Sequence, residues 1–230
     1  MAFEYIEKNV ANIRKRVAEA EKKSKHAQKV EIVAAVKYAE NEELKFLIEH
    51  AGITAVGENR VQQLLEHYEF LKDAKIDWHF IGSLQTNKVK YIIDKVCMIH
   101  SIDSIKLAAE IDRQAKKHGV VMDVLVEINC GREESKGGIL PEDIEAFCSE
   151  IMQFSSLNLR GFMTMAPKCE EKTDYLQYFD ETYKLFLDIW RKIVHNNIEP
   201  IVSMGMSGNF EEAILCGSTI VRIGRSLFEK

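Results

Sequence analysis

Ile32-Val33-Ala34-Ala35-Val36-Lys37 is the stretch on which the fold turns. Five apolar residues in a row leave neither face of a strand polar, and a parallel sheet covered by helices hides both faces. Outward from it, short runs recur at Ala55–Val56, Trp78–Ile81, Met98–His100, Val121–Ile128, Leu157–Met163, Pro200–Val202 and Thr219–Ile223, the first being Glu31–Val36 itself. Helix-like stretches separate them: Glu42–His50, Arg60–Leu71, Val89–Asp94, Ile105–Lys117, Pro141–Phe154, Thr173–His195 and Glu211–Leu215. Ahead of the first run, Phe3, Ile6, Val10, Ile13 and Val17 recur at three- and four-residue steps, which predicts a helix over Glu4–His26. Strict alternation implies parallel strands joined by right-handed crossovers. Eight such units in 230 residues fit an α/β fold of one closed (β/α)8 TIM barrel with an extra N-terminal helix. An open doubly wound sheet usually has fewer strands, although the second run here is thin. With three prolines and no linker, residues 1–230 are expected to form one domain.

Composition narrows the function classes. A hydrophobic content of 46% with 29% charged residues is ordinary for a globular protein, and a net charge of −5 argues against a nucleic-acid partner. The basic runs Arg14-Lys15-Arg16 and Lys22-Lys23-Ser24-Lys25 are interleaved with Glu19 and Glu21 and read as a solvated helix face. Five cysteines without a C-x-x-C pair suggest reduced thiols in a cytoplasmic setting. Glu4, Glu7 and Lys8 stand where a signal peptide would be apolar, and no run nears the roughly 18 residues of a membrane span.

In a barrel, function gathers where the strands end, and a phosphate site commonly forms after strands seven and eight. Small-residue turns occur at both places, Ser203-Met204-Gly205-Met206-Ser207-Gly208-Asn209 and Ile223-Gly224-Arg225-Ser226. Each leads into a helix start, where free N–H groups favour an anion. Ser207 can add a hydroxyl, and Gly208 and Gly224 would let backbone approach closely; turns of this composition also cap helices with no ligand. Lys37 ends strand one, which closure makes the neighbour of strand eight. Following five apolar residues, its amine is expected to be partly desolvated and fit for imine formation, unless it is a solvated strand-end lysine. Arg222, inside Thr219–Ile223, needs a buried partner. That partner is either a carboxylate, Glu127 or Glu58, or the ring nitrogen of a bound cofactor.

These residues carry a family resemblance. Lys37 after Ile32–Val36, Val56-Gly57-Glu58-Asn59, Trp78–Lys88, Ser203–Ser207 and Val221-Arg222-Ile223-Gly224 together resemble the pyridoxal phosphate homeostasis protein family, from about Val30 to Phe228. Its members are similar to the barrel domain of bacterial alanine racemase. The resemblance implies that pyridoxal 5′-phosphate is held as a Schiff base on Lys37. It also implies phosphate contacts from Ser207, with Met206 beside it, and from the backbone around Gly224 and Arg225. Arg222 would meet the pyridine nitrogen, and Asn59, His79 and Met163 match pocket-lining positions. Val36 and Tyr38 flank the lysine where small hydroxylated residues are frequent, Ser83 stands where proline is common, and Gly208-Asn209 replaces a frequently acidic pair.

The implied function is non-catalytic. The protein would buffer the cofactor inside the cell and release it by transimination, with apo-enzymes as recipients. No racemase-type second domain is expected, so proton transfer would be one-sided and the chain monomeric. Rival readings are an amino-acid racemase or lyase using His79 and Tyr38, and a sugar-phosphate aldolase using Lys37.

Overall fold

The computed structural model describes residues 3–133, 136–193 and 200–230. Helix α1 (Glu4–Lys23) precedes a closed barrel of eight parallel strands in sequence order. The strands are β1 (Glu31–Ala35), β2 (Ala55–Glu58), β3 (Asp77–Phe80), β4 (Met98–Ile102), β5 (Met122–Ile128), β6 (Leu157–Thr164), β7 (Ile201–Met206) and β8 (Ile220–Ile223). Crossovers run through α2 (Asn41–Glu49), α3 (Val61–Phe70), α4 (Ile105–His118), α5 (Ile144–Ile151), α6 (Lys172–Ile193) and α7 (Phe210–Leu215), and α8 (Arg225–Phe228) follows the last strand. The thin second run extends to a four-residue strand pairing on both sides. Residues 194–195 of the predicted sixth-crossover helix lie outside the described residues.

One crossover departs from expectation. Between β3 and β4 the chain forms a 3-10 helix, Thr86–Tyr91, in place of an α-helix over Val89–Asp94. Only seventeen residues separate Phe80 from Met98. A tighter helix followed by a turn suits so short a return, and Val89, Ile92 and Ile93 are still buried.

The two faces of β1 do different work, as its apolar run requires. Val33 turns inward to Ala55, Met98, Leu125, Met163 and Ile220, while Ala34 and Val36 join the outer core beneath the helices. The buried stripe of α1 (Ile6, Val10, Ile13, Val17, Ala20) closes the sequence-predicted amphipathic pattern. Its polar residues brace the end of the chain. Asn9 Nδ2 donates to the carbonyls of Leu227 and Glu229 at 3.2 and 2.8 Å, and Arg16 makes a two-pronged contact with Glu211 at 3.1 and 2.7 Å. The basic run is therefore partly a structural strut.

Gly161 marks a register shift between β5 and β6. Its φ is +149°, and a Cβ there would lie 2.1 Å from the Ile201 carbonyl oxygen. Gly161→Ala should therefore lower unfolding free energy by at least about 2 kcal/mol, read as a shifted denaturation midpoint at constant m-value.

Candidate functional site at the barrel mouth

The closing seam decides where the candidate residues fall. β8 pairs with β1 over four positions, from Glu31↔Ile220 to Ala34↔Ile223. Gly224 lies so close to the end of β1 that a Cβ would come within 2.8 Å of the Ala35 carbonyl oxygen. The opening and closing strands thus meet at one rim, as the sequence requires. Across from Gly224, Ser207 Oγ accepts the backbone N–H of Gly224 at 3.3 Å and of Ser226 at 3.4 Å. The β7 loop holds its own shape: Asn209 Oδ1 accepts the Met206 N–H at 2.8 Å, and the Asn209 N–H returns to the Met206 carbonyl at 3.0 Å. Two backbone donors and a hydroxyl therefore converge between the two loops. Gly205, at φ +93° and placed so that a Cβ would come within 2.6 Å of Ala213 Cβ, is the tight glycine of the β7 loop. Gly208, expected to allow close backbone approach, has nothing within 4 Å of that position and faces open space.

Lys37 corrects an expectation. β1 stops at Ala35, so the lysine sits in the following turn and is exposed instead of desolvated. Its carbonyl accepts from Gln63 Nε2 at 3.1 Å, and its Nζ lies 4.7 Å from the Tyr38 ring centroid. The apolar run buries Val36 but ends there, and the long lysine stem reaches water. Tyr38, 81% exposed, offers its ring face to the amine.

Arg222 is 5% exposed, yet neither carboxylate weighed from the sequence pairs with it. Nη1 donates to the Ser203 carbonyl at 2.8 Å and to Ser203 Oγ at 2.6 Å, and Nη2 donates to the Thr164 carbonyl at 2.9 Å. Glu58 is taken by His67 at 2.6 Å. Glu127 acts on Arg222 only through space, opposing the burial that pulls the guanidinium down to about 10. Burial, with Asp103 adding, pushes the Glu127 carboxyl up to about 6.

His79 is 3% exposed and bonds through Nδ1 to His100 Nε2 at 2.9 Å, and His100 Nδ1 meets Ser203 Oγ at 3.2 Å. His79 and Arg222 are thereby joined across the barrel interior. Met163 packs in the inner apolar cluster, Met206 is 38% exposed at the rim, and Arg225 is exposed beside Gly224. Arg225, Gly224, Tyr38 and Ala35 line a cavity of about 340 Å³, with Glu40, Glu43, Phe228 and Glu229. Asn59 lines a separate groove of about 360 Å³ with Arg60, Ser83, Gln85 and Lys88. The described contacts thus unite Ser207 with Gly224 and His79 with Arg222, and they leave Asn59 and Met163 apart. The sequence reading gave His100 no role and quoted Ser203 and Ser226 only as members of the two small-residue turns. His100 and Ser203 carry a legible signal: a polar residue at the inward position of an apolar strand.

Burial pulls His79 down to about 4, and burial with the neighbouring His79 and Arg222 pulls His100 well below 6.5. Unfolded, each ring would take its proton near 6.5, so the unfolded chain binds more protons below that pH, and these two groups lower stability as the pH falls. Glu127, raised, acts in the opposite sense below about 6. NMR titration should find neither histidine protonated until the pH is well under its ordinary value.

The sequence model of the alanine racemase N-terminal domain matches residues 8–229. Curated relatives named pyridoxal phosphate homeostasis protein include one from Aquifex aeolicus, 46% identical over 179 residues, or 78% of each chain. Another, from Pasteurella multocida, is 32% identical over 225 residues, covering 97% of this chain and 96% of the relative. Among solved structures, PipY of Synechococcus elongatus without PLP superposes with a TM-score of 0.87 at 26% identity, covering 97% of this chain and all of that one. The form with PLP bound gives 0.85 at 25% identity. An alanine racemase of Clostridium difficile shares the fold at a TM-score of 0.73 and 18% identity, over 57% of its length. On these matches and the closed barrel, the chain belongs to the alanine racemase N-terminal domain family, within its pyridoxal phosphate homeostasis branch.

Proposed function

We propose that this protein is a monomeric cytoplasmic carrier of pyridoxal 5′-phosphate that stores the cofactor and delivers it to apo-enzymes without turnover of its own. The observation that carries the reading is the convergence of the Gly224 and Ser226 N–H groups on Ser207 Oγ, against the strand that leads to Lys37. That donor set fits a phosphomonoester: backbone N–H groups and a hydroxyl suit its oxygens, and the open space at Gly208 leaves room beside them. The relatives' names and the PLP-bound PipY support the same ligand.

When bound, pyridoxal phosphate supplies an aldehyde that takes up primary amines reversibly. Lys37 is the resident amine. Its exposure suits a carrier, because an incoming amine can reach the same place from solvent. Ser207, with the backbone of Gly224 and Arg225, holds the phosphate, and Met206 flanks it. Arg222, which keeps its proton, would be the donor toward the pyridine nitrogen, and a bound ring would then be a weaker electron sink. His79 would line the pocket from the side of Arg222, whereas Asn59 opens on a separate groove and Met163 packs in the inner apolar cluster. The five free thiols fit a reducing compartment, and among the described residues no helix is long and apolar enough to cross a membrane.

A racemase or lyase reading has one observation in its favour, the nearly buried Glu127 carboxyl raised to about 6, within the range of a general acid–base group. Amino-acid turnover that vanishes in Lys37→Ala would establish it over the carrier reading.

Borohydride reduction followed by proteolysis and mass spectrometry should place a phosphopyridoxyl adduct on the Lys37 peptide, and Lys37→Ala should carry none. An adduct elsewhere, or none on the native protein, would overturn the assignment. Ser207→Ala should weaken cofactor binding about tenfold, measured by equilibrium dialysis, with the fold intact by circular dichroism.

A further inference from the structure

Four polar side chains inside the barrel form one hydrogen-bonded line from β8 to β3: Arg222, Ser203, His100 and His79. Its proton positions follow from counting. Arg222 has only donors, so Ser203 Oγ must accept from Nη1 at 2.6 Å. The Ser203 hydroxyl proton then needs an acceptor, and among the described residues His100 Nδ1 at 3.2 Å is the remaining polar partner of that oxygen. His100 Nδ1 is therefore bare and its proton sits on Nε2, which donates to His79 Nδ1 at 2.9 Å. His79, neutral and accepting at Nδ1, carries its own proton on Nε2. The reverse direction would leave the buried Ser203 hydroxyl proton with no acceptor, which is costly at a residue with 0% exposure.

His79 Nε2–H has no protein partner among the described residues, although the ring is 3% exposed. A donor without a protein partner at the end of a satisfied line, on a ring only 3% exposed, is placed to receive a ligand. We propose that His100 and Ser203 are positioning residues that lock His79 as the Nε2–H tautomer, so that it donates to an acceptor atom on the bound pyridoxal ring. The ligand's identity rests on the carrier function proposed above; the tautomer does not. Arg222 anchors the line because it cannot give up its donor role, so the guanidinium dictates the state of the His79 ring three hydrogen bonds away.

The test uses the full chain labelled with 15N at histidine. In the cofactor-free protein, long-range 1H–15N correlation should show His79 and His100 protonated at Nε2 alone; Nδ1 protonation of either ring would overturn the proposal. Ser203→Ala should yield mixed tautomers and weaken pyridoxal phosphate binding about fivefold. Unchanged histidine spectra in that variant would remove Ser203 from the line. Should Ser203→Ala fail to fold, the measurement on the unaltered protein decides alone. On adding pyridoxal phosphate, with loading read separately as the mass of the borohydride-reduced protein, the His79 Nε2–H resonance should move. Loaded protein with that resonance unmoved would overturn the ligand contact. A chain that takes up no pyridoxal phosphate would sink the carrier function and the contact together, whereas the tautomer result on free protein would still stand or fall by itself.

Discussion

The seam between β8 and β1 is the constraint on which the other features rest. A strand pair in parallel register needs its partners held in line over several residues, and here four consecutive positions close the ring. Closure removes both sheet edges, and it also carries the chain's first strand to the side of its last. Gly224 can approach the Ala35 carbonyl because it has no Cβ. Outside the seam, α1 grips the terminal segment through Asn9 and holds α7 through Arg16, so the two loops facing each other across the rim are braced from behind.

Inside the ring, an apolar cluster and a polar line share the space. Val33, Ala55, Met98, Leu125, Met163 and Ile220 form the cluster. Beside them run Arg222, Ser203, His100 and His79. A buried guanidinium is expensive to desolvate, and a carboxylate is the usual compensation. This protein instead surrounds the charge with carbonyl oxygens and a hydroxyl, which satisfy its donors without neutralising it. The charge then remains available to bias whatever enters the mouth, and the same field helps keep His100 uncharged. Among the described residues the buried Glu127 carboxyl has no ion-pair partner, and it feels Asp103 as well as Arg222.

Much of this was readable from residues alone. The double-sided apolar run at Ile32–Val36 announced a covered parallel strand, and the glycine- and serine-rich turns at 203–209 and 223–226 announced the two loops that meet. Other features were not. The 3-10 crossover at Thr86–Tyr91 depends on the distance the chain must span, which a hydrophobic pattern does not encode. The Lys37 environment was misjudged because an apolar run implies burial of the run, not of the flexible side chain that ends it.

What the sequence by itself determined was the alternation of strand and helix, and with it the barrel, since period and polarity are local properties of the chain. It also supplied the chemistry: an amine, a guanidinium and small-residue turns in a fixed order. Which groups touch was decided only by the tertiary structure. His100 and Ser203 are 103 positions apart and bond because β4 and β7 face each other across one interior. Arg222 could have paired with Glu127 or Glu58 on composition alone. Strand register settled the matter, because a hydrogen bond needs donor and acceptor within about 3 Å, and only the closed ring places them.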